Sequence, residues 1–196
     1  CKVCQLVKLY KSGEPYKMSK RAGEFISAQD LLKEVKKDQI RFMMLNRSND
    51  VELDFDFDKV KEKTKDNPVF YVQYAYARIN SLLRLIKLSL LKKINLDQKN
   101  LNLNKMEEKI IRKVFEWPKI VDSASRQFDL HKIPFYLYDL STLFHAYWSK
   151  GNDDKNYKFI ENEKLRRNEI LIIINLVAIV IQNGMKILGV SLPEKM

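Results

Sequence analysis

Apolar positions along the chain change their period several times, and each change marks an element. Residues 2–10 read as a strand, followed by a turn at Lys11-Ser12-Gly13-Glu14-Pro15. Ser27 with Asp30 three residues on is a helix start of the capping-box kind, with Leu31, Leu32 and Val35 facing inward. A second short helix from Asp38 turns Ile40, Met43 and Met44 inward and leaves Arg41 available to solvent or RNA. Leu53 to Asp58 alternates apolar and acidic residues strictly, which fits a half-buried extended segment or the entry to a helix from Phe57 to Lys65. Asp66-Asn67-Pro68 is the clearest boundary: an Asn N-cap with Pro at the first helical position.

The helix that Pro68 opens is expected to reach about Lys93. Val69, Val72, Tyr76, Ile79, Leu83, Ile86 and Leu90 recur at spacings of three and four and form one buried stripe. After a polar, Asn-rich loop from Asn95 to Asn104, a helix from Lys105 to Trp117 faces Met106, Ile110, Val114 and Trp117 inward. Pro118 opens the next, with Ile120, Val121, Ala124 and Phe128, and Pro134 opens an aromatic-rich helix over Phe135 to Ser149. The last helix, Asn162 to Leu188, carries the apolar run Ile170 to Ile181. A helix apolar all round is either buried in a bundle or spans a membrane, and spanning needs ~20 apolar residues. Asn175 interrupts this run, Gln182-Asn183 ends it and Lys164, Arg166 and Arg167 precede it, so it reads as the central helix of a bundle. The expected fold is all-α: a helical bundle preceded by a short strand, a basic loop and small connecting helices.

A chain of 196 residues with five Gly and five Pro agrees with that expectation and can bury a sizeable core. The formal net charge of +11 points to a polyanionic partner, nucleic acid or an anionic membrane, with a solvated basic surface as the equal alternative on charge alone. Cys1 and Cys4 form a lone C-x-x-C. A structural zinc site needs four ligands, and His131 and His145 lie far downstream, so no protein-bound metal is expected. The cysteines read as reduced thiols of an intracellular protein. The first residue is not Met, and the start reads as a cut through a longer protein.

Three groups of residues carry candidate chemistry. Lys17-Met18-Ser19-Lys20-Arg21, with Gly23 close behind, suits an exposed loop whose ammonium groups close on phosphate oxygens; a basic surface turn is the plain alternative. Tyr71, Tyr74 and Arg78 share a second face of the long helix, ~125° from its buried stripe at ~100° per residue. Two phenols and a guanidinium there suit a stacking platform for unpaired bases, or packing on a neighbouring helix. Tyr147 and Trp148 close the aromatic helix, where one of them could reach a partner. His145 beside them reads as a satisfied interior histidine, and Asp54, Asp56 and Asp58 as a solvated edge rather than metal ligands.

The runs KMSKRAGEF, DQIRFMML and LDFDFDKVKEKTKDNPVFYVQYAYAR, with Asn183-Gly184-Met185, Leu188-Gly189-Val190 and a terminal Glu194-Lys195-Met196, resemble the arginyl-tRNA synthetases over nearly the whole chain. That resemblance implies the C-terminal part of a class I enzyme that activates arginine with ATP and Mg2+ and transfers it to tRNA-Arg. Residues 1–65 would end the catalytic domain and 66–196 would form an anticodon-binding bundle. Lys17 and Lys20 would contact the ATP phosphates, supported by Met18, Ser19 and Arg21. Tyr71, Tyr74, Arg78, Tyr147 and Met196 would meet the tRNA. The family's DALR signature is only partly kept, as Leu165-Arg166-Arg167-Asn168. The resemblance further implies a cytoplasmic monomer with no membrane partner. A helical RNA-binding module that has lost catalysis is the alternative.

Overall fold

A computed structural model describes residues 3–16, 26–87, 102–162 and 164–196 of the chain. Lys17 to Arg21, and with them the expected phosphate-binding loop, lie outside the described residues. Strand β1 (Val7–Lys11) turns at Ser12-Gly13, both with positive φ, into β2 (Glu14–Pro15). A two-residue turn of that kind matches the twist of a hairpin. Helices α1 (Ala28–Glu34) and α2 (Lys37–Leu45) lead to β3 (Leu53–Asp56), which pairs in parallel with β1 from Val7↔Leu53 to Tyr10↔Asp56. The alternation therefore resolves as a strand. Leu53, Phe55 and Phe57 point into a small core with Val35 and Val60, and Phe55 meets Phe57 edge-on at 5.8 Å. The aspartates face outward, and Asp58 accepts the Ser12 backbone N–H at 2.8 Å. Ser27 caps α1 in a reciprocal box with Asp30, as the sequence predicts. Leu32, expected inside, is half exposed.

A second, larger core is built by α3 (Pro68–Leu85), α4 (Lys105–Phe115), α5 (Trp117–Gln127), α6 (Lys132–Asp153) and α7 (Asn168–Leu188). Asn67 stands at the N-cap of α3 but does not cap it. Its buried amide donates to the carbonyls of Val60 and Glu62 at 2.9 and 2.7 Å, pinning the preceding segment beneath the helix. Val69, Val72, Tyr76, Ile79 and Leu83 are buried as the stripe predicts. The helix stops at Leu85 rather than near Lys93, because Lys87 turns to φ 51°. Phe128, expected inside, ends α5 in the left-handed region and is largely exposed.

The last helix begins at Asn168, not Asn162. Asn162 takes φ 48° in the turn of a small hairpin, β4 (Ile160–Glu161) with β5 (Lys164–Leu165), so the backbone there cannot be helical. Helix α7 is long and apolar enough to cross a membrane by length and composition. Ile170, Ile173, Ile174, Val177, Ala178, Ile181 and Met185 are nevertheless buried within the bundle. The helix that touches α3, α4, α5 and α7 alike is α6, so the centre of the bundle lies there rather than on α7. At Gly184 the Leu137 side chain of α6 packs directly on α7: an added Cβ would lie 2.7 Å from its Cδ2.

Arg41, expected to face solvent or RNA, donates instead from Nε to the carbonyl of Leu188 at the end of α7. Gly189, with φ 65°, closes that helix, and a Cβ there would strike the Arg41 guanidinium at 2.7 Å. Only glycine supplies both the left-handed turn and the space.

One buried carboxylate ties three helices. Glu107, fully buried, returns to the Asn104 backbone N–H at 2.8 Å while the Asn104 side chain caps α4. It also accepts the Tyr147 hydroxyl at 2.6 Å and Nη2 of Arg167, which stands at the N-cap of α7. Tyr147 is thereby corrected as a partner-facing residue. It is only 1% exposed, its phenol committed to Glu107 and its ring 4.5 Å from Phe159. Burial, then the Glu107 carboxylate, hold its pKa far above the ordinary phenol value. Removing Arg167 would leave Glu107 buried and uncompensated. Arg167→Ala is expected to lower the free energy of unfolding by about 3 kcal/mol in denaturant titration, and Tyr147→Phe by about 1.5 kcal/mol.

Candidate nucleic-acid interface

Spacings of three and four bring Tyr71, Tyr74 and Arg78 to one face of α3, and α6 decides how much of it is covered. All three are half-buried: neither sealed in the core nor standing free. Tyr71 packs against Tyr138 and His145, with ring centroids at 5.1 and 4.4 Å. Burial lifts its phenol above the ordinary value. Tyr74 lies nearly parallel to Phe70 at 5.7 Å and stacks on His145 at 5.5 Å. The Arg78 guanidinium sits 4.4 Å over the Tyr74 ring and 4.9 Å over Trp148, donating to the Tyr74 hydroxyl at 2.8 Å.

His145 organises this arrangement. Its Nδ1 is 3.1 Å from Arg78 Nη1 and its Nε2 is 3.2 Å from the carbonyl of Tyr71. Arg78 can only donate, so Nδ1 accepts, and the proton sits on Nε2 facing the carbonyl. Burial, helped by the neighbouring guanidinium, pushes the imidazole down to about 4, with the bond to Tyr71 pulling the other way. His145 is neutral near pH 7, and Arg78 carries the positive charge of the cluster. A guanidinium has five N–H donors. His145 and Tyr74 engage one Nη each, so further donors remain for a base edge or a phosphate.

The C-terminal tail docks beside this face. Gln73 donates from Nε2 to the carbonyl of Ser191 at 2.9 Å, and Arg84 donates from both Nη atoms to the carbonyl of Glu194 at 3.2 Å. Ser191 also donates to Asp38 on α2. Met196, half exposed, thereby reaches the wall of a cleft that Phe70 and Tyr74 also line. The structure thus gathers Tyr71, Tyr74, Arg78 and Met196 and excludes Tyr147. It adds Trp148, His145 and Phe70. Trp148 is legible in the sequence as the alternative at the end of α6. Phe70 carries its signal in the i, i+4 spacing to Tyr74.

The helical bundle holds the Arg78 guanidinium between the rings of Tyr74 and Trp148, all three half-buried. The DALR anticodon binding domain family matches residues 72–196, and the chain belongs to that family. An arginine--tRNA ligase of Pelagibacter ubique is 50% identical over the whole chain, and one of Rhizobium etli is 45% identical over 99% of it. The chain spans about a third (34%) of each, in their C-terminal part. A Campylobacter jejuni structure assigned as an arginyl-tRNA synthetase superposes with a TM-score of 0.84 at 29% identity, covering 98% of this chain and 40% of that one. The Thermus thermophilus arginyl-tRNA synthetase shares the fold at a TM-score of 0.68 and 21% identity, over 98% of this chain and 35% of its own.

The depressed His145 pKa sets a pH dependence. Above 6.5 the imidazole is neutral in both folded and unfolded chains. Below 6.5 the unfolded chain binds a proton that the folded one refuses until about 4, so stability falls as pH drops through that window. A loss of about 3 kcal/mol is expected between pH 6.5 and 4, measured as unfolding free energy by denaturant titration. In His145→Asn the slope over that window should flatten. Asp30, held at about 2 by Lys33 and Ser27, acts only at lower pH.

Proposed function

We propose that this chain is the tRNA-binding C-terminal part of an arginine–tRNA ligase, reading the anticodon side of tRNA-Arg at Tyr71, Tyr74, Arg78 and Met196. The observation that carries this reading is Arg78, half-buried and held between Tyr74 and Trp148 with N–H donors left over. An unpaired base can lie against the exposed aromatic edge while the planar guanidinium meets its polar atoms. Lysine in place of Arg78 would keep the charge and lose the planar fork.

In this reading residues 1–65 end the catalytic domain and 66–196 form the anticodon-binding domain of a monomeric, cytoplasmic enzyme. That enzyme would join arginine to ATP, with Mg2+, and release pyrophosphate before transfer to tRNA. Lys17 and Lys20 would hold the ATP phosphates, with Met18, Ser19 and Arg21 shaping the loop, by placing positive charge where the phosphoryl group becomes more negative. No HIGH signature occurs among the 196 residues, so this chain should bind tRNA without turnover.

Binding to an arginine tRNA transcript, with and without anticodon substitutions, tests the reading. Tyr74→Ala should weaken the cognate complex by ~1–3 kcal/mol and Arg78→Lys should erode discrimination between the transcripts, with unfolding midpoints checked in parallel. Equal affinity of the wild-type chain for both transcripts would refute anticodon reading. ATP–pyrophosphate exchange should be undetectable for this chain even with tRNA present; robust exchange would show that its residues suffice for activation.

A further inference from the structure

Helix α4 carries its charge on the side that faces away from the bundle. Lys105, Lys109 and Arg112 are exposed and fall within ~60° of one another at ~100° per residue. Glu107 and Ile110 are buried on the opposite side. None of the three cations forms an ion pair or a side-chain hydrogen bond with a described residue. One carboxylate, Glu108, shares their side of the helix, and Glu116, just past its end, lies 3.5 Å from Lys113. Phe115 closes the row at 78% exposure, more than any other aromatic ring among the described residues. This surface is separate from the Arg78 cluster. On α6, Tyr147 turns to Glu107 of α4 and Trp148 to Arg78 of α3, ~100° apart around the helix.

We propose that the outer face of α4 is a second nucleic-acid surface, which holds a single RNA strand by its phosphates at Lys105, Lys109 and Arg112 and stacks one base on Phe115. The three cations span ~10 Å of helix. With no partner inside the protein, they give up only water and counterions when a phosphate arrives. A π-face accepts any base, so the surface takes a strand without regard to its sequence. An anionic membrane would meet the same charge, but lodging in one requires an apolar helix face. The apolar side of α4 is used inside the bundle, and one ring is left at the surface. One ring is enough for one stacked base. A duplex, by contrast, offers phosphates and no unstacked base for Phe115 to meet. The surface needs nothing from Tyr71, Tyr74 or Arg78, so it stands whether or not those residues read an anticodon.

The test uses the 196-residue chain carrying Tyr74→Ala/Arg78→Ala, which takes the α3 face out of the measurement. It is titrated with a labelled oligouridylate of about ten nucleotides across a salt series, and it should bind with log K falling linearly against log salt. Adding Lys105→Ala/Lys109→Ala/Arg112→Ala should make that slope shallower by about 0.7 for each phosphate no longer neutralised, about 2 in all. It should also weaken binding about tenfold or more at about 0.1 M salt. Phe115→Leu on the same background should weaken binding about fivefold or more at an unchanged slope, the lower end of what base stacking supplies. All four positions are exposed, so unfolding midpoints should stay close to that of the background chain. An unchanged slope in the triple variant overturns the proposal. So does loss of oligouridylate binding in the Tyr74→Ala/Arg78→Ala chain itself, which would assign the strand to the α3 face. Binding to phosphatidylserine vesicles that depends on the three cations, with none to the oligouridylate, would assign the face to a membrane and overturn it as well.

Discussion

A neutral imidazole sets the geometry of the candidate interface. Helix α6 meets α3 at His145, whose two ring nitrogens join the backbone of one turn, at Tyr71, to the side chain of a later one, at Arg78. The arrangement works only while Nδ1 is free to accept. Burial among Tyr71, Tyr74 and Phe144 removes the solvent that a protonated ring would need, and the guanidinium beside it repels the proton further. Two hydrogen bonds and two ring faces then fix Arg78 before any ligand arrives, which reduces the ordering cost of binding. The core and the surface site are thus one construction: the face of α6 that fills the bundle also aims the cation.

The tail supplies a second constraint of the same kind. Leaving α7 through the left-handed turn at Gly189, it is met by Arg41 from α2, by Gln73 and Arg84 from α3 and by Asp38 from α2. Arg41, Gln73 and Arg84 bond main-chain carbonyls, so they fix the path of the tail whatever side chains it carries. The last residues therefore stand as a wall beside Phe70 and Tyr74. The β1–β3 segment is fastened to the bundle by the same bonds, since α2 contributes Phe42 to the large core and Asp38 and Arg41 to the tail.

How much of this could be read from the chain depends on whether a feature is local. The stripe on α3, the cap at Ser27 and the alternation that becomes β3 rest on neighbours a few residues apart, and periodicity shows them. Tyr147 and Trp148 differ by one position on the same helix, and the three-and-four spacing of Tyr136, Leu140, Phe144 and Tyr147 is a local signal for which of them turns inward. The acceptor of the Tyr147 hydroxyl is not local: Glu107 lies 40 residues away. Arg41 looks like a solvent-facing cation until the end of α7, 147 residues on, is folded against it. Asn162 departs from expectation for a subtler reason. The polar run from Asn162 to Arg167 has ordinary helix formers, but a short hairpin takes up the backbone first. The pair Tyr74 and Arg78 is legible because a helix face is a local property, whereas the contribution of His145 to it is not.

Charge follows a similar division. A net charge of +11 does not say where on the surface a polyanion would lie. The structure separates two kinds of cation near the α3 face. Arg78 is stacked, hydrogen-bonded and directed, and its planar fork can distinguish one edge from another. Lys36, Lys63 and Lys195 are exposed on flexible stems, and they sense only charge. If the surface binds RNA as proposed, the loose cations would hold the phosphate backbone and the fixed donor would meet a base edge. The fixed donor is the costly one to build, and it is the one to which the bundle devotes a buried histidine.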